Sequence, residues 1–91
     1  MRKSAYFTPD SIGQVSHRMI VEIEPLRSRH CLPVIPERSA LFILDMQRYF
    51  LEESSHAYVP SAPAIVPGIV SLAQTYRSRG LPIVLTRHVN P

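Results

Sequence analysis

Two short apolar runs frame the second half of the chain. Leu41-Phe42-Ile43-Leu44 runs without a break into Asp45, and Leu81-Pro82-Ile83-Val84-Leu85-Thr86 ends at Arg87-His88. Continuous apolar runs of this length with polar boundaries suit strands buried on both faces, as parallel sheets bury them. The pattern predicts a first strand over 39–45 and a second over 81–86. Between them Ile65, Ile69, Leu72, Ala73 and Tyr76 recur on one helical face, which predicts a helix over 62–79. Ser61 is a candidate N-cap, and Pro63 is tolerated in a first turn whose N–H groups lack partners. Pro67 either delays the regular helix or kinks it. Arg77 and Arg79 suit the negative end of the helix dipole, and Gly80 supplies a left-handed stop.

The first 36 residues read differently. Pro9, Pro25, Pro33 and Pro36 interrupt them, and Arg27-Ser28-Arg29-His30 is polar. Asp10 is a candidate cap for a short helix over 14–17, which Gly13 weakens. Met19-Ile20-Val21-Glu22-Ile23-Glu24 partly alternates, which predicts a short edge strand. Residues 1–36 therefore read as an arm over a body formed by 37–91. The connection 46–62 carries Glu52-Glu53-Ser54-Ser55-His56 and Pro60; a connection this long without evident structure is more often functional than accidental. There are no internal repeats.

Strand, helix, strand makes a βαβ unit, whose crossover is right-handed in about 98% of cases. Parallel strands end at one edge of their sheet, and that edge is where open α/β sheets bind ligands. Asp45 and Arg87-His88 should therefore converge there. A two-stranded parallel sheet cannot bury both its faces, so the unit should belong to a larger sheet.

Composition narrows the function classes. At 91 residues the chain is one domain at most; 45% apolar and 19% charged residues describe a globular protein, not a disordered tail. The net charge of +3 comes from scattered arginines without aromatic interleaving, so nucleic acid is not an expected partner. No segment approaches the roughly 20 apolar residues of a membrane span, and no apolar stretch follows Arg2-Lys3 as in a signal peptide. Cys31 is the only cysteine, which suits a reducing cytoplasm. It reads as an inert thiol, and His17, His30 and His56 read as surface residues.

Asp45 is the candidate catalytic acid. Burying an unpaired carboxylate is costly, so an acid at a strand end needs a task or a partner, and Arg48 or Arg87 could be that partner. Gln47 could orient a substrate or satisfy the loop backbone. Tyr49 and Phe50 could line a pocket or fill the core. Arg87 and His88 could bind a substrate carboxylate, which guanidinium forks match well, or close a salt bridge at the strand end.

These residues carry a resemblance. Ser39-Ala40-Leu41-Phe42-Ile43-Leu44-Asp45-Met46-Gln47 looks like the first strand of the isochorismatase-like hydrolases, which include the nicotinamidases and related cysteine hydrolases. Arg48-Tyr49-Phe50 is similar to the isochorismatase branch in particular, and Leu81 through His88 looks like the family's second strand. The resemblance covers about residues 36 to 91. It implies a three-layer α/β fold around a larger parallel sheet, a small-molecule substrate and an Asp-Lys-Cys triad whose aspartate maps onto Asp45. In amide-hydrolysing branches that aspartate is the base that activates the cysteine thiol, and the thiolate attacks the carbonyl to form an acyl-enzyme. In the vinyl-ether branch it acts as a general acid.

The departures shape the expectation. Lys3 is the only lysine, and both it and Cys31 precede the first strand, so neither maps onto the family's downstream lysine and cysteine. Metal-binding nicotinamidases carry Asp-x-His after the Thr-Arg of the second strand. Here His88-Val89-Asn90 follows, so no metal is expected, and no cofactor is called for. The chain should be the N-terminal part of a hydrolase domain, inactive alone, completed by the rest of that domain or by a homo-oligomer. Two other readings stand beside it: a non-enzymatic module completing a partner's sheet, and a half-domain binding a small anion through Arg87.

Overall fold

The computed structural model describes residues 3–28 and 32–89. The expectations for His30 and Cys31 fall outside the described residues. In chain order the elements are α1 (Ile12–Ile23), β1 (Leu41–Ile43), the one-turn helix α2 (Arg48–Leu51), α3 (Val66–Ser78) and β2 (Ile83–Leu85). Short 3₁₀ turns occupy Glu24–Leu26, Pro36–Arg38 and Ala62–Ile65. None of these helices is long and apolar enough to cross a membrane.

The two strands pair in parallel, with Leu41 opposite Ile83, Phe42 opposite Val84 and Ile43 opposite Leu85. The connection between them carries α3, which packs against both strands. The result is a small α/β unit with α3 on one face of the sheet. Ile43 and Ala64 are the buried apolar residues among those described. At the start of β1 the Ser39 hydroxyl donates to the Pro36 carbonyl (2.6 Å) and meets the Tyr76 hydroxyl of α3 at 2.6 Å.

The other face of the sheet departs from expectation. Phe42, Leu44 and Val84 are 59%, 62% and 39% exposed, so the strands are not buried on both sides. The reason is topological: one crossover helix covers one face, and α1 contributes no cover to the sheet. The accessible surface of 8007 Å² is correspondingly large against roughly 5,400 Å² for a folded monomer of this mass.

The α3 region follows its sequence signals closely. Pro67 stands at the second position of α3, and the 3₁₀ turn Ala62–Ile65 precedes it, so the proline delays the regular helix without kinking it. Ser61 does not cap that turn. Its Oγ instead accepts the Tyr6 N–H at 2.6 Å, which ties the segment ahead of α1 to the turn ahead of α3. At the other end Gly80 has φ +67°, the Leu81 N–H bonds the Tyr76 carbonyl (2.9 Å) and the Gly80 N–H bonds the Arg77 carbonyl (3.2 Å). This pair is a Schellman stop. A Cβ on Gly80 would meet nothing within 4 Å, so its cost is purely conformational. Gly80→Ala should therefore lower stability by about 1 kcal/mol in urea denaturation with an unchanged m-value; no loss would mean that the helix does not end in this motif.

The arm differs most. Residues 19–23, expected as an edge strand, complete a twelve-residue helix instead. Ile12, Val15, Met19 and Ile23 follow helical spacing, and between Gly13 and Pro25 nothing interrupts it, so the short alternation yields to the longer period. Asp10 does not cap this helix. Thr8 and Ser11 do the work ahead of it: the Thr8 N–H donates to Ser11 Oγ (2.8 Å) and the Ser11 N–H to Thr8 Oγ1 (3.3 Å). The connection 46–62 is also more ordered than its composition suggests. It contains α2, and the Val59 N–H bonds the Phe50 carbonyl at 2.9 Å, closing the loop on itself.

Candidate active site at the carboxyl ends of the strands

The ladder continues one step past the strands, where the Thr86 N–H donates to the Ile43 carbonyl at 3.0 Å. That register sets Thr86 beside Asp45. The Asp45 N–H donates to Thr86 Oγ1 (3.0 Å), and Thr86 Oγ1 donates to Asp45 Oδ1 (2.9 Å). One hydroxyl thus serves both the backbone and the carboxylate of the same residue, and Oδ2 has no hydrogen-bond partner among the described residues.

Asp45 is also the one described non-glycine residue with positive φ, at +54°. The left-handed region costs most residues about 1–2 kcal/mol, and aspartate tolerates it better than most because its short polar side chain bonds locally. Here the two Thr86 bonds supply that local support. The carboxylate is exposed, not buried as the strand pattern suggested, because no described element covers this rim. Its partner is Thr86, neither Arg48 nor Arg87. Arg48 lies 3.7 Å from Glu52 in an exposed pair that contributes little.

Gln47 neither points free nor satisfies its own loop. Its Nε2 donates to the His88 carbonyl (3.0 Å) while the His88 N–H donates to its Oε1 (2.8 Å). The side-chain amide mimics one further residue of strand pairing and holds the segment after β2 against the segment after β1. An open cleft of about 270 Å³ lies beside it, lined by Gln47, Tyr49, Arg87, His88 and Val89. Four of the five expected substrate-binding residues therefore share one cleft. Phe50 is not on its wall; its half-buried ring packs edge-on against Tyr49, with centroids 5.1 Å apart. Asp45 does not line it either.

A model of the isochorismatase domain matches residues 39–91, more than half of the chain. The chain belongs to the isochorismatase domain family. No curated protein and no solved structure matches it. The matched span begins at the Ser39 that leads into β1 and takes in the Asp45–Thr86 and Gln47–His88 bonds, so the family segment and the convergent strand ends coincide.

Two residues of this candidate site are not singled out by the sequence pattern. Thr86 stood inside the second apolar run and was read as a strand end; a hydroxyl one step past a parallel ladder was the available signal. His56, read as a surface residue, is exposed, yet its Nε2 lies 2.8 Å from the Tyr49 hydroxyl. No spacing rule inside a loop foretells such a contact. Among the described residues, no group of three or more His, Cys, Asp or Glu could hold a metal ion.

Proposed function

We propose that the chain supplies the first β-α-β unit of an isochorismatase-like hydrolase of three-layer α/β architecture, with Asp45 as its acid–base group. The observation that carries this reading is the Thr86–Asp45 pair. It orients one carboxylate oxygen across the strand ends and leaves the other to exchange a proton. In amide hydrolysis Oδ2 takes the proton of a cysteine thiol, the thiolate adds to the carbonyl carbon, and the amine leaves with a proton to give an acyl-enzyme that water cleaves. In vinyl-ether hydrolysis the protonated carboxyl instead gives its proton to the substrate. The cleft beside Gln47, Tyr49, Arg87 and His88 takes the rest of the small molecule, with Arg87 suited to a carboxylate.

Lys3 and Cys31 precede β1, so the chain lacks a lysine and a cysteine in the family's positions. Alone it should not turn over primary amides or vinyl ethers. Turnover by the isolated chain that Asp45→Asn abolishes would overturn this. Supplied with the lysine- and cysteine-bearing remainder of an isochorismatase domain, it should hydrolyse one of the two, and Asp45→Asn should cut that rate roughly 10²–10⁴-fold. Restored turnover indifferent to the substitution would remove Asp45 from the reaction. We place the protein in the cytoplasm on its single cysteine.

A second reading, a non-enzymatic assembly module, draws on the bare apolar sheet face at Phe42, Leu44 and Val84 and on the open strand edges. Size-exclusion chromatography tests this second reading: an obligate, well-ordered oligomer or heteromer favours the module, and a monomer removes it.

A further inference from the structure

Tyr49 reaches the cleft from α2, a helix of one turn that would hold a side chain loosely by itself. Within α2 the neighbouring Phe50 ring meets it edge-on. From outside the helix the His56 imidazole lies edge-on at 5.2 Å and 81°, with Nε2 2.8 Å from the hydroxyl. The turn that presents His56 is tied down in its turn. Ser55 Oγ donates to the Tyr49 carbonyl (2.6 Å) and accepts the Ala57 N–H (3.2 Å). From the arm, Lys3 Nζ donates to the Tyr58 carbonyl (2.8 Å) and reaches the His56 carbonyl at 3.5 Å. His56 is thus braced at its backbone and free to act only through its ring.

We propose that His56 is a positioning residue for the cleft: it holds the Tyr49 hydroxyl in one direction, so that the hydroxyl's remaining hydrogen-bonding capacity faces a polar group of the bound molecule. This rests on reading the cleft as the substrate site. A phenol has one proton to give and lone pairs to accept with. If Nε2 accepts the phenol proton, a lone pair is left for the ligand; if Nε2–H donates, the phenol proton is left. A ligand hydroxyl, donor and acceptor at once, satisfies either case. Arg87, on the same cleft, calls for a carboxylate. The probe pair that isolates Tyr49 is therefore 4-hydroxybenzoate against benzoate, two acids that differ by that hydroxyl alone.

NMR titration of the full chain with each acid tests the assignment. The wild type should prefer 4-hydroxybenzoate by about fivefold, the worth of one neutral hydrogen bond. Tyr49→Phe and His56→Ala should each erase that preference, and the double variant should lose nothing more, since both act through one hydroxyl. His56→Gln, which keeps a hydrogen-bonding group there, should retain most of it. A preference that survives His56→Ala, or losses that add in the double variant, would overturn the proposal. If neither acid binds the wild type, the cleft reading fails, and ¹³C-labelled tyrosine then decides the positioning claim. His56→Ala should shift the Tyr49 ring resonances and raise the ring's mobility; unchanged resonances and mobility would sink it.

Discussion

Ile43→Ala should lower stability by about 2–4 kcal/mol, the usual range for truncating a buried isoleucine. Ile43 is 9% exposed and is the last residue of β1, the strand that leads into the site and packs against α3. Few other described residues are buried, so little packing remains to compensate. In thermal unfolding the loss should appear as a drop in Tm of roughly 10 °C or more, given the shallow entropy of a chain this size. Phe42→Ala, one residue away on the bare face, should change stability by no more than about 0.5 kcal/mol despite removing the larger side chain. Comparable losses at the two positions would mean that the far face is covered in solution, and would favour an assembled form.

Substitutions at Asp45 should split according to backbone tolerance as well as charge. Asp45→Val places a β-branched residue at φ +54° and removes the acceptor of the Thr86 hydroxyl, so it should cost about 2–3 kcal/mol. Asp45→Asn keeps a residue that tolerates the left-handed region and keeps an oxygen for Thr86, and it should fall within about 0.5 kcal/mol of the wild type. Asp45→Gly relieves the backbone while losing the side-chain bond, and it should lie between them. Urea midpoints at constant m-value read this order directly. A valine variant as stable as the asparagine variant would show that Asp45 does not hold this conformation. An asparagine variant of near wild-type stability is also the clean probe of the acid–base role.

Much of this site was legible along the chain. Two apolar runs with polar ends gave parallel strands, and a 3.6-residue period with Pro67 inside and Gly80 behind it gave the crossover helix and its stop. Parallel pairing then obliged Asp45 and Arg87-His88 to share an edge. The misreadings cluster where a local pattern had two solutions. Met19 to Glu24 fits a strand over six residues and a helix over twelve, and the longer period prevailed because nothing between Gly13 and Pro25 interrupts it. Asp10 and Ser61 had the right chemistry for caps, yet Thr8 and Ser11 paired with each other and Ser61 was engaged by Tyr6.

What the residues dictated alone was direction and order: which segments extend, which coil, and that the acid and the guanidinium lie at one end. These follow from side-chain periodicity and backbone sterics, which act between near neighbours. Register and partnership came only with the folded chain. The pairing of Asp45 with Thr86 across 41 residues, the exchange between Gln47 and the His88 backbone, and the contact of His56 with Tyr49 each depend on where a distant backbone atom comes to rest to within a hydrogen-bond length. Such placement is set by packing α3 on the sheet and closing the 46–62 loop, and short-range preferences carry no information about it.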